Sequence, residues 1–156
     1  MDTLGAALGS IEWREAVDHL VHLGIAYLLA LPTAWNRERA ERSAGLRTFP
    51  LVSIGACAYM LTGMSVFSNQ EAHARVMYGI VAGIGFIGGG AILKRDSTVT
   101  GTATAASLWN TGALGVAVAW QHYEIALVLA ALNYLTLRFV TTFKEEAGKR
   151  EEKDPG

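Results

Sequence analysis

The sequence predicts an all-α fold, a polytopic transmembrane bundle of about five helical spans. Two observations support this prediction. Of the 156 residues, 51% are hydrophobic and only 17% are charged. The charges also fall in short blocks, whereas every helix of a soluble bundle needs a polar face along its length. The blocks leave five runs without Asp, Glu, Lys or Arg: residues 19–36, 48–70, 76–93, 97–123 and 125–137.

The lengths of these runs fit a lipid bilayer. A hydrocarbon core about 30 Å thick needs about 20 apolar helical residues, each rising about 1.5 Å. Four runs meet this length, and the fifth does so if Arg138 extends to the headgroups and the helix continues to Phe143. A soluble domain of this size is too small to cover five apolar helices. The predicted spans are residues 16–35, 48–67, 76–93, 103–120 and 123–143.

The Lys and Arg residues predict the orientation of the spans. With the N-terminus outside, all of the 13 Lys and Arg except Arg14 and Arg75 fall on the cytoplasmic side, as the positive-inside rule requires. The C-terminus then lies in the cytoplasm. This predicts a transmembrane domain over residues 1–143 and a charged cytoplasmic tail over residues 144–156.

Small residues predict where the helices pack closely. Lipid gives no hydrophobic drive for helix association, so faces of small residues that bring backbones together take its place. We therefore expect the third span, which is rich in glycine, to be the central and most crowded helix. We expect the fourth span to add hydrogen bonds between helices. The residues concerned are Gly79, Gly83, Gly85 and Gly89 in the third span, and Thr104, Ser107, Asn110 and Thr111 in the fourth.

No motif for catalysis or cofactor binding stands in the sequence. Gly83, Gly85 and Gly88 match the glycine spacing of a dinucleotide site, but they lie inside an apolar span with no acidic residue near position 108. A nucleophile elbow, a phosphate-binding loop and a zinc-binding HExxH helix are also missing. We therefore predict that the protein is not an enzyme and uses no cofactor. The net charge of -1 gives no sign of a nucleic-acid partner.

Three sequence blocks, at residues 45–48, 83–90 and 104–109, carry a specific pattern. They read Gly-Leu-Arg-Thr, Gly-Ile-Gly-Phe-Ile-Gly-Gly-Gly and Thr-Ala-Ala-Ser-Leu-Trp. With Arg75, these blocks resemble the MgtC/SapB family of bacterial membrane proteins, and the similarity covers about residues 28–132. The family-motif and packing residues are then Arg47, Thr48, Arg75, Gly83, Gly85, Gly88, Gly90, Thr104, Trp109 and Asn110.

The resemblance implies a multi-pass protein of the bacterial inner (plasma) membrane. Members of the family are associated with growth under magnesium limitation and with survival of pathogens inside host cells. The best-known member is a regulator that binds and restrains the proton-driven ATP synthase. Longer members add a cytoplasmic domain after the last span, so we expect this chain to be a short form without that domain.

Two functional classes remain open. In the first, the protein is a regulator that acts through helix contacts with another membrane complex, such as ATP synthase. In the second, it is a small cation transporter or channel, for magnesium, that works as a homo-oligomer around the polar residues of the fourth span. Cation pathways usually expose acidic residues inside the membrane. Since the five runs contain none, the regulator is favoured, and Asn110 is expected to bond a neighbouring helix rather than a ligand.

A cluster of titratable residues is predicted at the outer face. Asp18 and His22 are four residues apart and so share one face of the first helix, beside His19. His73 falls on the same side of the membrane. Because imidazoles titrate at about pH 6.5, the cluster is a candidate pH sensor, and zinc is the divalent metal that would suit it. The alternative is that these histidines lie at the membrane interface and have no specific function.

Overall fold

The computed structural model describes residues 12–39, 44–95 and 98–140. Within these ranges the chain forms five α-helices, one π-helical turn and a two-stranded hairpin. The end of the predicted fifth span and the predicted tail over residues 144–156 lie outside the described residues. The elements are α1 Trp13–Arg39, α2 Thr48–Val66, α3 Gln70–Gly90, β1 Leu93–Arg95, β2 Thr98–Thr100, α4 Thr102–Ala119, α5 Tyr123–Leu135 and the π-helical turn Thr136–Val140.

Four helices follow the predicted spans with shifted ends. Helices α2 and α4 closely match the second and fourth predicted spans. Helix α1 is longer at both ends than residues 16–35, because its first and last turns carry charged side chains that the prediction left outside the span. Pro32 lies inside α1 without ending it. Helix α5 begins at Tyr123 as predicted and changes to a π-helical turn at Thr136.

The region around α3 differs most from the prediction. The helix begins at Gln70, well before Val76, because the Asn69 side chain accepts a hydrogen bond from the Ala72 backbone N–H (2.7 Å) and caps the first turn. It ends at Gly90 rather than Leu93, since consecutive glycines are poor helix formers. The chain then forms an antiparallel hairpin in which Leu93 faces Thr100. The described chain is thus mostly helical, as predicted, and this short hairpin is an addition that the prediction did not include.

The distribution of large and small side chains is the reverse of that in a soluble bundle. The buried positions are occupied mainly by alanine, glycine, serine and threonine, whereas Phe86 is 85% exposed and Tyr78 is 76% exposed. Two helices, α1 and α2, are long and apolar enough to cross a membrane by length and composition. A large apolar exterior over a core of small residues is typical of helices that pack in lipid.

The central helix is α4, so the expectation that the third span would be central is wrong. Helix α4 contacts each of the other four helices, and most of its residues are buried. In contrast, α3 buries only Ile80, Ile84 and Gly88. Most α3 glycines face outward with open space where a side chain would begin, so they do not bring helices together. The small residues of α4 face several neighbours at once, which explains its position.

Two glycines of α4 show how closely its neighbours approach. A Cβ atom added at Gly115 would overlap the backbone carbonyl oxygen of Ser53 in α2, and one at Gly112 would overlap the side chain of Ile84 in α3. The Ser53 hydroxyl also donates to the Ala26 carbonyl oxygen of α1 (2.8 Å). Helices α1, α2 and α4 are therefore in close backbone contact at this level, as small-residue faces allow.

Gly101 sets the start of α4 after the hairpin. Its φ of 87° is in the left-handed region, and an added Cβ would overlap the carbonyl oxygen of Ala91. Only glycine adopts this conformation without strain. The position thus holds the end of α3, the hairpin and the start of α4 together.

Candidate functional site

The two ends of the helix bundle differ in charge. One end brings together the end of α1, the start of α2, the hairpin, the start of α4 and the end of α5, and we call it the basic end. The opposite end joins the starts of α1 and α5 and contains all but one of the acidic residues that the structure describes, and we call it the histidine end. The described basic residues at the basic end are Arg37, Arg39, Arg47, Lys94, Arg95 and Arg138.

Arg37 is a buried cation at the basic end. It lies in the last turn of α1, only 5% exposed, and its guanidinium Nη2 donates a hydrogen bond to the Thr104 hydroxyl of α4. The first predicted span ends at residue 35, which leaves Arg37 in the loop that follows; its burial within the last turn of α1 corrects that expectation. Burying a guanidinium is costly unless it is hydrogen-bonded, so this contact is a principal attachment of α1 to the central helix.

The contact with Arg37 begins a chain of polar contacts along α4. The Ser107 hydroxyl donates to the Thr104 carbonyl oxygen (2.9 Å), and the Thr111 hydroxyl donates to the Ser107 carbonyl oxygen (2.8 Å). The side-chain amide of Asn133, in α5, donates to the Ser107 carbonyl oxygen and to the Thr111 hydroxyl, at 3.2 Å each. We call Arg37, Thr104, Ser107, Thr111 and Asn133 the polar network.

The polar network connects three helices through buried groups. Ser107 and Thr111 direct their hydroxyl protons to the backbone of their own helix, so these protons are not presented to a pore or ligand. Asn133 was not singled out in the sequence, although an amide within an apolar run is a signal of a hydrogen bond between helices. The geometry therefore supports a role in holding α1, α4 and α5 in register.

Asn110 makes the helix–helix hydrogen bond that the sequence favoured. Its side-chain amide donates to the Leu129 carbonyl oxygen of α5 at 3.4 Å. Asn110 also lines a lateral cleft of about 260 Å³ between α4 and α5, together with Asn133 and Thr136.

At the histidine end, the structure pairs His22 with a residue far away in sequence. His22 is buried, its Nδ1 lies 2.8 Å from the Asp18 carbonyl oxygen and 3.5 Å from the Asp18 carboxylate, and its Nε2 lies 3.1 Å from the Tyr123 hydroxyl. In a neutral ring whose Nδ1–H donates to the carbonyl, Nε2 accepts the hydrogen bond from Tyr123. Tyr123 joins α5 to α1 here, and sequence reasoning placed it only at a membrane boundary.

The other predicted members of the histidine cluster lie apart from this pair. His19 is partly buried on α1, and His73 contacts the Phe67 carbonyl oxygen (2.6 Å) in the turn between α2 and α3. Over residues 12–39, 44–95 and 98–140, no group of three His, Cys, Asp or Glu side chains is placed to hold a metal ion. A role of Asp18 and His22 in sensing pH stays a prediction.

We expect Tyr123→Phe to weaken the attachment of α5 to α1. The change removes the hydroxyl that donates to His22 and leaves the aromatic ring in place, so the free energy of unfolding in detergent should fall by about 1 kcal/mol. Tyr59→Phe is the matched control, because Tyr59 is exposed. Thermal unfolding measures the loss, and the nitrogen chemical shift of His22 Nε2 should change only in Tyr123→Phe. An unchanged His22 signal would contradict the pairing.

The family-motif residues near the helix ends have distinct environments. Arg47 is exposed at the start of α2, next to Thr48. Arg75 donates to the Glu71 carboxylate at 2.7 Å, one helical turn away on α3. An added Cβ at Gly88 would lie 3.2 Å from the Ala105 carbonyl oxygen, a tight contact between α3 and α4, whereas Gly90 has open space.

Two apolar hollows lie between α3 and the helices next to it. A crevice of about 260 Å³ between α3, α4 and α5 is lined by Trp109, which is half-exposed. A larger groove of about 770 Å³ lies between α2 and α3, and Gly55, Gly79 and Gly83 form part of its wall. We call it the α2/α3 groove.

The apolar exterior, the small-residue core and the buried polar network define a helical membrane protein. The sequence profile of the MgtC family matches residues 23–146. The chain belongs to the MgtC family.

Curated relatives agree with this assignment. The chain is 34% identical to Protein SrpB of Synechococcus elongatus over 72% of this chain and 69% of that protein. It is 35% identical to Protein MgtC of Brucella abortus over 88% of this chain and 59% of that protein. It is 35% identical to Protein MgtC of Salmonella typhimurium over 70% of this chain and 46% of that protein. The chain thus spans about half the length of the MgtC proteins it matches. No solved structure matches the chain.

Proposed function

We propose that the protein is a regulator in the bacterial inner membrane that acts through helix contacts with another membrane protein complex. The proposal rests on the resemblance to the MgtC/SapB family and on one structural observation, an outward face of α3 that none of the helices within residues 12–39, 44–95 and 98–140 covers. Both are consistent with a protein that works by contact rather than by chemistry. The resemblance to the MgtC/SapB family implies that this regulation serves growth under magnesium limitation, and we include that link in the proposal.

The proposed topology is a five-span, multi-pass arrangement with the basic end in the cytoplasm. Helices α1 to α5 run alternately between the two ends, and the described basic residues collect at one of them. Arg14 and Arg75 are the described exceptions at the histidine end. The positive-inside rule then places the histidine end outside.

The outward face of α3 has the composition of a helix-docking surface. Gly85 and Gly89 are four residues apart with nothing within 4 Å of an added Cβ, and Ala82 is exposed beside them. Tyr78 and Phe86 are large exposed side chains on the same side. We call these five residues the outer face of α3. Small residues let two backbones approach in lipid, and aromatic side chains add contact area.

The partner we propose is ATP synthase, which the resemblance implies, and the contact would be between membrane helices. A photoreactive amino acid at Ala82 in native membranes should give a discrete crosslinked product, because Ala82 faces outward. Gly85→Leu with Gly89→Leu should abolish the product, since two large side chains block close approach. Gly79→Leu, on the α2/α3 groove, is the matched control and should retain it.

The measurement has clear outcomes. Identification of ATP synthase subunits in the product supports the proposed partner, and a different membrane complex supports the regulator but not that partner. If Ala82 crosslinks only to lipid, or if the Gly85 and Gly89 substitutions change nothing, contact through α3 is refuted.

A second candidate function, cation transport by an oligomer, is suggested by the cleft at Asn110, Asn133 and Thr136. Its polar groups face a lateral opening. Against it, the hydroxyls of the polar network bond within the protein. Magnesium flux into liposomes separates the two functions: we expect no uptake above that of empty liposomes. Uptake that is lost in Asn110→Leu would instead establish transport.

A further inference from the structure

The α2/α3 groove has an open, polar end, which we call its mouth, and a closed opposite end. Arg47 and Thr48 lie at its mouth, at the basic end of the bundle. Toward the histidine end the two helices meet, where an added Cβ at Gly63 would lie 3.0 Å from Val76. The groove is therefore open at the basic end and along its side but closed before it reaches the opposite end.

The length of the groove corresponds to one leaflet of a bilayer. Along α2 it extends from Arg47 to Tyr59, which is about 18 Å of helix at about 1.5 Å per residue. Half of a hydrocarbon core of about 30 Å is about 15 Å. A transmembrane helix of a second protein would need a groove about twice as long to lie along, whereas one acyl chain needs only this depth.

The lining of the groove suits hydrocarbon and its mouth suits an anion. Leu51, Ile80 and Ile87 supply apolar walls, and Gly55, Gly79 and Gly83 leave space between them. Arg47 pairs with no carboxylate in the part of the chain that the structure describes. A guanidinium binds phosphate oxygens in a forked geometry, and the Thr48 hydroxyl stands beside it as a further hydrogen-bonding group.

We propose that the α2/α3 groove is a binding site for an anionic phospholipid of the leaflet at the basic end. One acyl chain lies in the groove along Gly79 and Gly83, and the headgroup phosphate binds Arg47. The site is separate from the outer face of α3, because the groove and the outer face lie on different sides of that helix.

The test uses the purified full chain and two lipids with identical acyl chains, phosphatidylglycerol and phosphatidylcholine. Native mass spectrometry of the detergent-solubilised protein counts the lipid molecules that stay bound. We expect the protein to retain phosphatidylglycerol about fivefold better, the preference expected for one arginine at a membrane surface. Arg47→Gln should remove the preference but retain a bound lipid.

Substitutions inside the groove test the position of the acyl chain. Gly83→Leu fills open space in the groove and should prevent retention of both lipids. Gly85→Leu, two residues away on the outer face of α3, is the matched control and should bind lipid like the unchanged protein. The same control is expected to weaken crosslinking at Ala82, so failure of the lipid site and failure of the regulatory contact are distinguishable.

Several results would overturn the proposal. They are equal retention of the two lipids by the unchanged protein, a preference that survives in Arg47→Gln, or lipid retention that Gly83→Leu does not reduce. Displacement of phosphatidylglycerol by inorganic phosphate alone would show that the groove contributes nothing. A crosslink between Tyr59 and a second copy or another membrane protein would show that a protein occupies the groove.

Discussion

Gly115→Val is expected to prevent the protein from folding into a stable bundle. The first atom of any side chain at this position overlaps the Ser53 carbonyl oxygen, and Ala56 and Cys57 lie directly beyond it. Helix α4 would have to move away from α2, its most extensively contacted neighbour. Overpacking of a well-packed core costs about 1–3 kcal/mol of folding free energy. Because the clash is with rigid backbone, we expect Gly115→Val to cost at least the upper value of this range.

Gly55→Val is the matched control for Gly115→Val. Gly55 is also a glycine within a helix, but an added Cβ there meets nothing within 4 Å. The yield of monodisperse protein in detergent and its midpoint of thermal unfolding are the measurements. Equal yields and midpoints for the two variants would contradict the close approach of α2 and α4.

Arg37→Met is expected to have the second largest effect, a loss of about 1.5–3 kcal/mol, the range measured for hydrogen bonds to charged groups. The substitution keeps most of the buried hydrocarbon but removes the guanidinium that donates to Thr104. Helix α1 then loses its attachment to the polar network at the basic end. Thermal unfolding in detergent measures the loss.

Two further variants show whether the loss comes from this contact. Thr104→Val removes the accepting hydroxyl with little change of shape, and the double variant should lose less stability than the sum of the two single variants. Arg39→Met removes a neighbouring positive charge, which is exposed and lies 5.3 Å from the Trp35 ring, and should cost about 0.5–1 kcal/mol. Additive losses, or equal losses at Arg37 and Arg39, would contradict the role of the polar network.

The helices could be predicted from the sequence because a charge-free run of about 20 residues is typical of a helix that spans a membrane. This worked for α2 and α4, whose ends coincide with changes from apolar to polar residues. It failed at the start of α3, because the charged Glu71 and Arg75 belong to the helix and were taken as its boundary. The hairpin was missed because its strands have three residues each and lie between the end of the third predicted span and the start of the fourth, where so short a segment gives no readable alternation.

Contacts in the candidate sites were predictable only where the two residues are close in sequence. The Glu71–Arg75 pair follows from the spacing of one helical turn. His22 and Tyr123 are 101 positions apart, and Arg37 and Thr104 are 67 apart. Nothing in the residue pattern specifies such partners, since they depend on which helices become neighbours. The glycine content of α3 led to the wrong expectation that its glycines face the core, because composition alone does not say which side of a helix its neighbours occupy.

The small number of buried side chains in α3 has a consequence for how the molecule moves. Ile80, Ile84 and Gly88 are its only buried residues within the described part of the chain, whereas α4 is buried along most of its length. Segments with few buried contacts open at a lower free energy than the rest of a protein. Helix α3 is therefore expected to open at a lower free energy than the central helix, which hydrogen exchange of its backbone amides would measure. The α2/α3 groove and the outer face both belong to this helix, so its opening would alter both surfaces together.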